Sequence, residues 1–228
     1  LLITPIVGIA LLVDLIKTKN IKHILLAAFS GIVVFFALTM PFSPAWEEYT
    51  GFAAFLHAFN PIWIIQKYLS TLGSYEYFTV NAFNFYGLIH LNWGSLNEIG
   101  NRTVWDILNY ATIGISVAGA LVIYFKVKNR GSKLFLSAYF LLAFLFTFGL
   151  KMHERYVLLA IAMLLFEYLF SRNKKILYLF AGYSSVCFLN LFYILRLVLT
   201  TKAAPTYGYT GFISLLEVIL FACSVYVI

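Results

Sequence analysis

Seven apolar runs constrain the fold of this chain more than any other feature. They cover residues 1–16, 24–40, 107–125, 134–150, 156–170, 176–199 and 211–228. Crossing a bilayer as a helix takes about twenty apolar residues, with about seventeen tolerated. Each run reaches that length or approaches it, so the pattern predicts seven membrane helices. A membrane β-barrel would show short alternating segments in place of continuous runs. Composition agrees, with 62% of residues hydrophobic and only 11% charged. The expected fold is an all-α, polytopic transmembrane bundle. The sequence opens with Leu1-Leu2 inside a run and lacks the basic start of a signal peptide. It is therefore read as the C-terminal part of a single, longer membrane domain.

The formal charge of +7 then speaks to topology, because Lys and Arg gather on cytoplasmic loops. One set of connections holds Lys17, Lys19 and Lys22, then Lys126, Lys128, Arg130 and Lys133, then Arg172, Lys174 and Lys175, with no acid among them. The other set balances Lys67, Arg102, Lys151, Arg155, Arg196 and Lys202 against Glu47, Glu48, Glu76, Glu98, Asp106 and Glu154. The two sets alternate along the chain. The lysine-rich turns are thus expected in the cytoplasm, with the intervening connections facing outward. No basic stripe is long enough to track a phosphate backbone, so nucleic acid is not an expected partner. Cys187 and Cys223 lie inside apolar runs as small hydrophobes without metal spacing, and four scattered histidines make no metal site.

Residues 41–106 form the one long stretch between runs, so the chain is parsed as membrane helices at 1–40, an outer segment at 41–106, and membrane helices at 107–228. Loops of that length are often functional. Phe52, Phe55, Phe59, Ile62 and Ile65 follow helical spacing, which predicts a helix lying in the membrane interface. The abundant aromatic residues also fit a simple interfacial belt.

Two clusters could carry chemistry. The first is Lys151-Met152-His153-Glu154-Arg155-Tyr156, a dense ionisable group between two apolar runs. At the outer start of a helix, free N–H groups and the positive dipole end join Arg155 and Lys151 in favouring an anionic head group such as a phosphate. His153 beside Glu154 can hold or move a proton near neutral pH. The same residues also fit an ordinary polar turn with snorkelling side chains. The second cluster is Thr79-Val80-Asn81-Ala82-Phe83-Asn84-Phe85-Tyr86, followed by Asn92-Trp93. Amides pair with sugar hydroxyls and aromatic rings cover a sugar's apolar face. If the piece is helical, Asn81 and Asn84 share a face. Within the runs, Glu217 is expected to face the bundle interior or pair with a group such as Arg196. Asp14 and Glu167 fall near cytoplasmic helix ends.

These residues resemble a family. Lys151 to Tyr156 is similar to the Met-His-Glu-Arg-Tyr signature of polytopic GT-C glycosyltransferases, closest to bacterial proteins similar to the second GPI mannosyltransferase. Thr79 to Tyr86 with Asn92-Trp93 resembles that branch's Val-Asn-Ala-Phe-Asn-Leu-Trp motif, with Phe85-Tyr86 replacing Leu-Trp. Phe188-Leu189-Asn190-Leu191-Phe192-Tyr193 resembles a third family stretch, and the three stand in the family's order.

The resemblance implies an integral, multi-pass enzyme of a bacterial plasma membrane, with its active face outward in the cell envelope. It would transfer a hexose, such as mannose, from a polyprenyl-phosphate-sugar donor to a saccharide or lipid-linked acceptor, inverting the anomeric centre. Its partners would be membrane lipids and these lipid-linked sugars; the donor is a co-substrate and no metal or other cofactor is expected. The family's general base is an acidic residue in the first outer loop, expected ahead of this sequence, so Glu47 and Glu48 are not assigned that role and a piece lacking that loop should be inactive alone. Arg155, with Lys151, is expected to hold the donor phosphate, and His153, Glu154 and Tyr156 to support it. Asn81, Asn84 and Trp93 are expected to shape the sugar or acceptor pocket. The rival reading is a transporter or flippase for lipid-linked saccharides, and a third is a purely structural membrane subunit.

Overall fold

Inside a bilayer each backbone N–H and C=O must be satisfied within its own segment, which long apolar runs do by forming helices. The computed structural model describes residues 4–200 and 205–228, and most of them are helical. Eleven α-helices appear among the described residues: α1 Thr4–Thr18, α2 Ile21–Thr39, α3 Ala45–Glu48, α4 Gly51–Ala58, α5 Ile62–Ser74, α6 Phe85–Leu88, α7 Arg102–Lys126, α8 Arg130–Phe148, α9 Val157–Ser171, α10 Lys174–Thr200 and α11 Tyr207–Val227. Two short strands, β1 Thr79–Val80 and β2 Met152–His153, interrupt the helical pattern.

Each predicted run contains a helix among the described residues, and five helices there meet the length and apolarity needed to cross a membrane. They span Ile21–Phe42, Arg102–Lys126, Gly131–Phe148, Lys174–Leu197 and Tyr207–Val227. The other two, α9 and the described part of α1, are each 15 residues long, or about 22 Å at 1.5 Å per residue. That falls short of a hydrocarbon core of about 30 Å.

The chain forms two compact units, one of Ile9–Tyr75 and one of Leu1–Gly8 with Glu76–Ile228. The stretch 41–106 is accordingly not one element, since its first part belongs to the former unit and its remainder to the latter. In the Ile9–Tyr75 unit, Asn20 caps α2 by accepting from the Lys22 N–H at 3.1 Å. Helix α2 has no buried residue and is predominantly apolar after Lys22 and His23, a surface that suits lipid and not water. The helical spacing at 52–65 is realised by two helices, because Asn60-Pro61 ends α4 and starts α5. Pro61 takes the N-cap position, and the Asn60 side chain accepts from the Ile62 N–H at 3.0 Å.

In the other unit, α7 to α11 pack in sequence, with α8 at the centre touching α7, α9 and α11. Tyr139, Leu141, Leu142, Leu145 and Phe146 of α8 form the middle of the main core with Ala160, Leu164, Tyr183 and Phe221. Gly119 allows a close approach, since a Cβ there would collide with the Phe140 ring. Small residues at such crossings let membrane helices touch. Helix α11 buries Thr210, Ile213, Ser214, Glu217, Phe221 and Ser224, spaced along one face. Glu217 therefore faces the interior, as expected, but it forms no ion pair with Arg196 among the described residues, and its Oε1 lacks a hydrogen-bond partner. Glu167 is likewise buried, with Oε2 unpartnered. Asp14 lies 3.7 Å from the His23 ring nitrogen.

Residues 76–101 close one end of this bundle over a small core of their own. Phe78, Tyr86, Leu96 and Leu150 are buried there, with Trp105 edge-on to Phe78 at 4.8 Å between centroids.

Candidate functional site

Backbone that is neither helix nor sheet leaves donors and acceptors that must find partners when buried. At the closed end of the bundle the two chemical clusters supply them to each other. Strands β1 and β2 pair in parallel, with Thr79 opposite Met152 and Val80 opposite His153. The Lys151 N–H donates to the Phe78 carbonyl at 2.7 Å, and the Thr79 hydroxyl reaches the Met152 carbonyl at 3.2 Å. Asn81 then bridges to His153 in antiparallel fashion. Segments more than seventy residues apart thus meet as one small sheet.

The third stretch joins through one side chain. Asn190, in the body of α10 and almost fully buried, accepts from the Phe83 N–H at 3.1 Å and donates to the Asn81 carbonyl at 2.9 Å. Asn109 of α7 accepts from the Leu150 N–H at 3.3 Å. A single amide offers both a donor and an acceptor, which suits it to stapling irregular chain to a helix.

Asn81 and Asn84 would share a face only if their segment were helical; the structure separates their roles. Thr79–Val80 is a strand, Asn81 has a left-handed backbone (φ +58°), and α6 starts only at Phe85. Asn84 is fully buried, capping α6 at the Tyr86 N–H (3.0 Å) and donating to the Phe146 carbonyl (2.8 Å). Both ends of its amide are engaged within the fold. Asn81 lies nearer the surface. Its Oδ1 accepts from the Trp93 indole at 2.8 Å, and its N–H donates to the Asn92 side chain at 2.9 Å. Trp93 itself is 45% exposed, with its ring edge-on to Tyr77.

Among the ionisable residues, Glu154 stands between His153 and Arg155. Its Oε2 lies 3.9 Å from His153 Nδ1 and its Oε1 3.8 Å from Arg155 Nη1. Both distances are too long for hydrogen bonds, and the one to Arg155 is an ion pair. Exposure rises in order: the side chains are 10% exposed at His153, 17% at Glu154 and 57% at Arg155. Arg155 is therefore the residue that a ligand from outside meets first. Its guanidinium carbon lies 5.7 Å from the Tyr156 ring, whose edge also meets His153 at 5.4 Å. Burial lowers the His153 pKa from its ordinary value, the Arg155 charge lowers it further, and Glu154 partly opposes them. The shift favours the neutral imidazole, which can accept a proton on one nitrogen and donate from the other.

Positive φ at residues other than glycine is uncommon and costs about 1–3 kcal/mol where the surroundings enforce it. Four such residues, Asn81, His90, Trp93 and Lys151, fall within or beside this cluster. Strain of that kind concentrates at functional sites.

All the residues singled out from sequence (Lys151, His153, Glu154, Arg155 and Tyr156, with Asn81, Asn84 and Trp93) lie at this end of the bundle. Residue-by-residue reasoning missed the part played by Asn190 and Asn109; the signal for Asn190 was a lone amide inside an apolar run, which calls for a buried partner. The chain matches no known family model, and no curated protein or solved structure matches it significantly.

Proposed function

We propose that this protein is a multi-pass membrane glycosyltransferase that moves a hexose from a polyprenyl-phosphate-sugar donor to an acceptor on the outer face of a bacterial plasma membrane. The observation that supports it most is the hydrogen-bonded union of Thr79–Asn81, Met152–His153 and Asn190. Three stretches that resemble one family in order along the chain also meet in space. All seven apolar helices lie in the membrane in this reading, with α1 and α9 reaching the interface through flanking residues, and the lysine-rich turns lie inside.

Arg155 receives the donor phosphate. A planar guanidinium offers paired N–H donors matched to phosphate oxygens, and its exposure leaves that fork accessible. Lys151, two residues before His153, supplies a second cation. Glu154 sets the orientation of Arg155 while holding His153 on its other side, and Tyr156 limits the sweep of both. As the acceptor oxygen bonds to the sugar's anomeric carbon, the bond to the phosphate breaks and its electrons stay on the departing phosphate. Arg155 stabilises that charge. The acceptor's proton passes to the carboxylate that the family resemblance places in the first outer loop. Asn81 and Trp93 shape the sugar side, and Asn84 holds the segment that carries them.

The test is a transfer assay on the full-length protein in membranes, with a panel of polyprenyl-phosphate sugars. Transfer from at least one donor supports the reading. Silence from every donor, with the lipid-linked saccharide moved across the membrane unchanged, would assign the site to a flippase.

A further inference from the structure

Beside the Asn81–Trp93 pair lies a cavity of about 340 Å³, built from the 87–94 loop and the start of α11. That is near the lower end of ligand pockets, which run from about 300 to 1,000 Å³. Its walls are His90, Asn92, Trp93, Tyr207 and Thr210, over a floor at Gly87. The floor is a glycine for a physical reason. A Cβ at residue 87 would lie 2.5 Å from the Ser214 hydroxyl of α11. No Lys, Arg, Asp or Glu is among the described residues that line the cavity.

The lining has two kinds of surface. Trp93 and Tyr207 are 45% and 65% exposed, so their rings are open to a ligand. His90 stands edge-on to Tyr207, at 5.0 Å between centroids. The polar groups are only partly engaged. The Asn92 Oδ1 accepts from the Asn81 N–H, and its NH₂ is a further donor. Thr210 donates back to its own helix, at 3.1 Å to the Thr206 and Tyr207 carbonyls, and keeps lone pairs to accept. His90 and Trp93 hold this shape in left-handed backbone, at φ +64° and +63°.

Rings, an amide, an imidazole and hydroxyls, with no Lys, Arg, Asp or Glu among the described lining residues, select a ligand that is uncharged, flat on one side and rich in hydroxyls. A phosphate would find no Lys or Arg among those described residues, and a polyprenyl chain would find too many polar groups. We infer that this cavity binds one uncharged hexose ring, the ring of the acceptor saccharide, against Trp93 and Tyr207. His90, Asn92 and Tyr207 hydrogen-bond its hydroxyls. The acceptor assignment rests on the sugar-transfer reading, and the binding of a neutral ring does not.

Saturation-transfer NMR on the full-length protein in micelles tests this with three probes: methyl hexosides, a short-chain polyprenyl-phosphate hexose, and inorganic phosphate. Saturation should reach the ring protons of at least one methyl hexoside. His90→Ala and Tyr207→Ala should each weaken that binding about tenfold, roughly one lost hydrogen bond or ring contact. Inorganic phosphate should not displace the hexoside. Tyr207 is exposed, so its variants should fold, and Tyr207→Phe separates the hydroxyl from the ring. No saturation of any methyl hexoside, unchanged binding in both alanine variants, or displacement by phosphate would each overturn the site. Binding of the polyprenyl-phosphate hexose alone would give the cavity to the donor and overturn the acceptor assignment. If hexoside binding depends on Tyr207 but no donor supports transfer, the enzyme reading falls and the cavity stands. If transfer proceeds and Tyr207→Ala leaves the acceptor KM unchanged, the reverse holds.

Discussion

Asn190 carries more of the fold than its sequence position suggests. It is buried and bonded to two backbone groups of the 81–83 turn, the Phe83 N–H and the Asn81 carbonyl. Replacing it with alanine removes both bonds and strands a buried N–H and C=O, at a cost of about 2–4 kcal/mol. Thermal unfolding in detergent should show that loss as a lowered Tm. His153 makes a different prediction. Its folded pKa lies below its ordinary value, so the unfolded chain binds protons more readily. Its contribution to stability is full above the unfolded pKa of about 6.5 and is lost as pH falls through the folded value. The Tm should therefore drop as pH is lowered below that point, and His153→Gln should flatten the drop. The candidate residues themselves were legible, because charge and amides amid apolar runs are conspicuous. The division of labour between Asn81 and Asn84 was not. It depends on a two-residue strand whose partner lies more than seventy positions away, and local spacing carries no trace of such a pairing.

At the scale of elements, the helices were legible because hydrophobic length fixes them. The fate of residues 41–106 was not. No composition shift marks the boundary after Tyr75, and it is set by long-range packing of Phe78, Leu96 and Trp105 around Leu150. The break of the interfacial helix at Asn60-Pro61 could have been seen, since proline favours a helix start and its preceding residue leaves the helix. Helix α6 rests on α11 where Gly87 meets Ser214. Gly87→Ala should overpack that contact and destabilise the protein by about 1–3 kcal/mol. Adding Ser214→Gly should recover much of the loss, and a double-mutant cycle by thermal unfolding measures the coupling. Additive losses would mean that the two helices do not touch there.

For the whole molecule, the central claim is that one outward-facing site is assembled from three distant stretches and grips a lipid phosphate through Arg155. Its sidedness can be checked first. In a Cys187→Ser, Cys223→Ser background, a cysteine at Glu98 should react with an impermeant maleimide added outside intact cells. A cysteine at Lys128 should not react. Labelling of the second and not the first would invert the topology. The chemistry is tested most directly by kcat/KM for sugar transfer in the full-length protein with Arg155 varied. Arg155→Ala should lower it by about 10²–10³-fold, the usual loss when one donor to a developing anion is removed. Arg155→Lys should recover only part of the rate, because the charge returns without the paired fork. Transfer by Arg155→Ala at the wild-type rate would contradict the phosphate role.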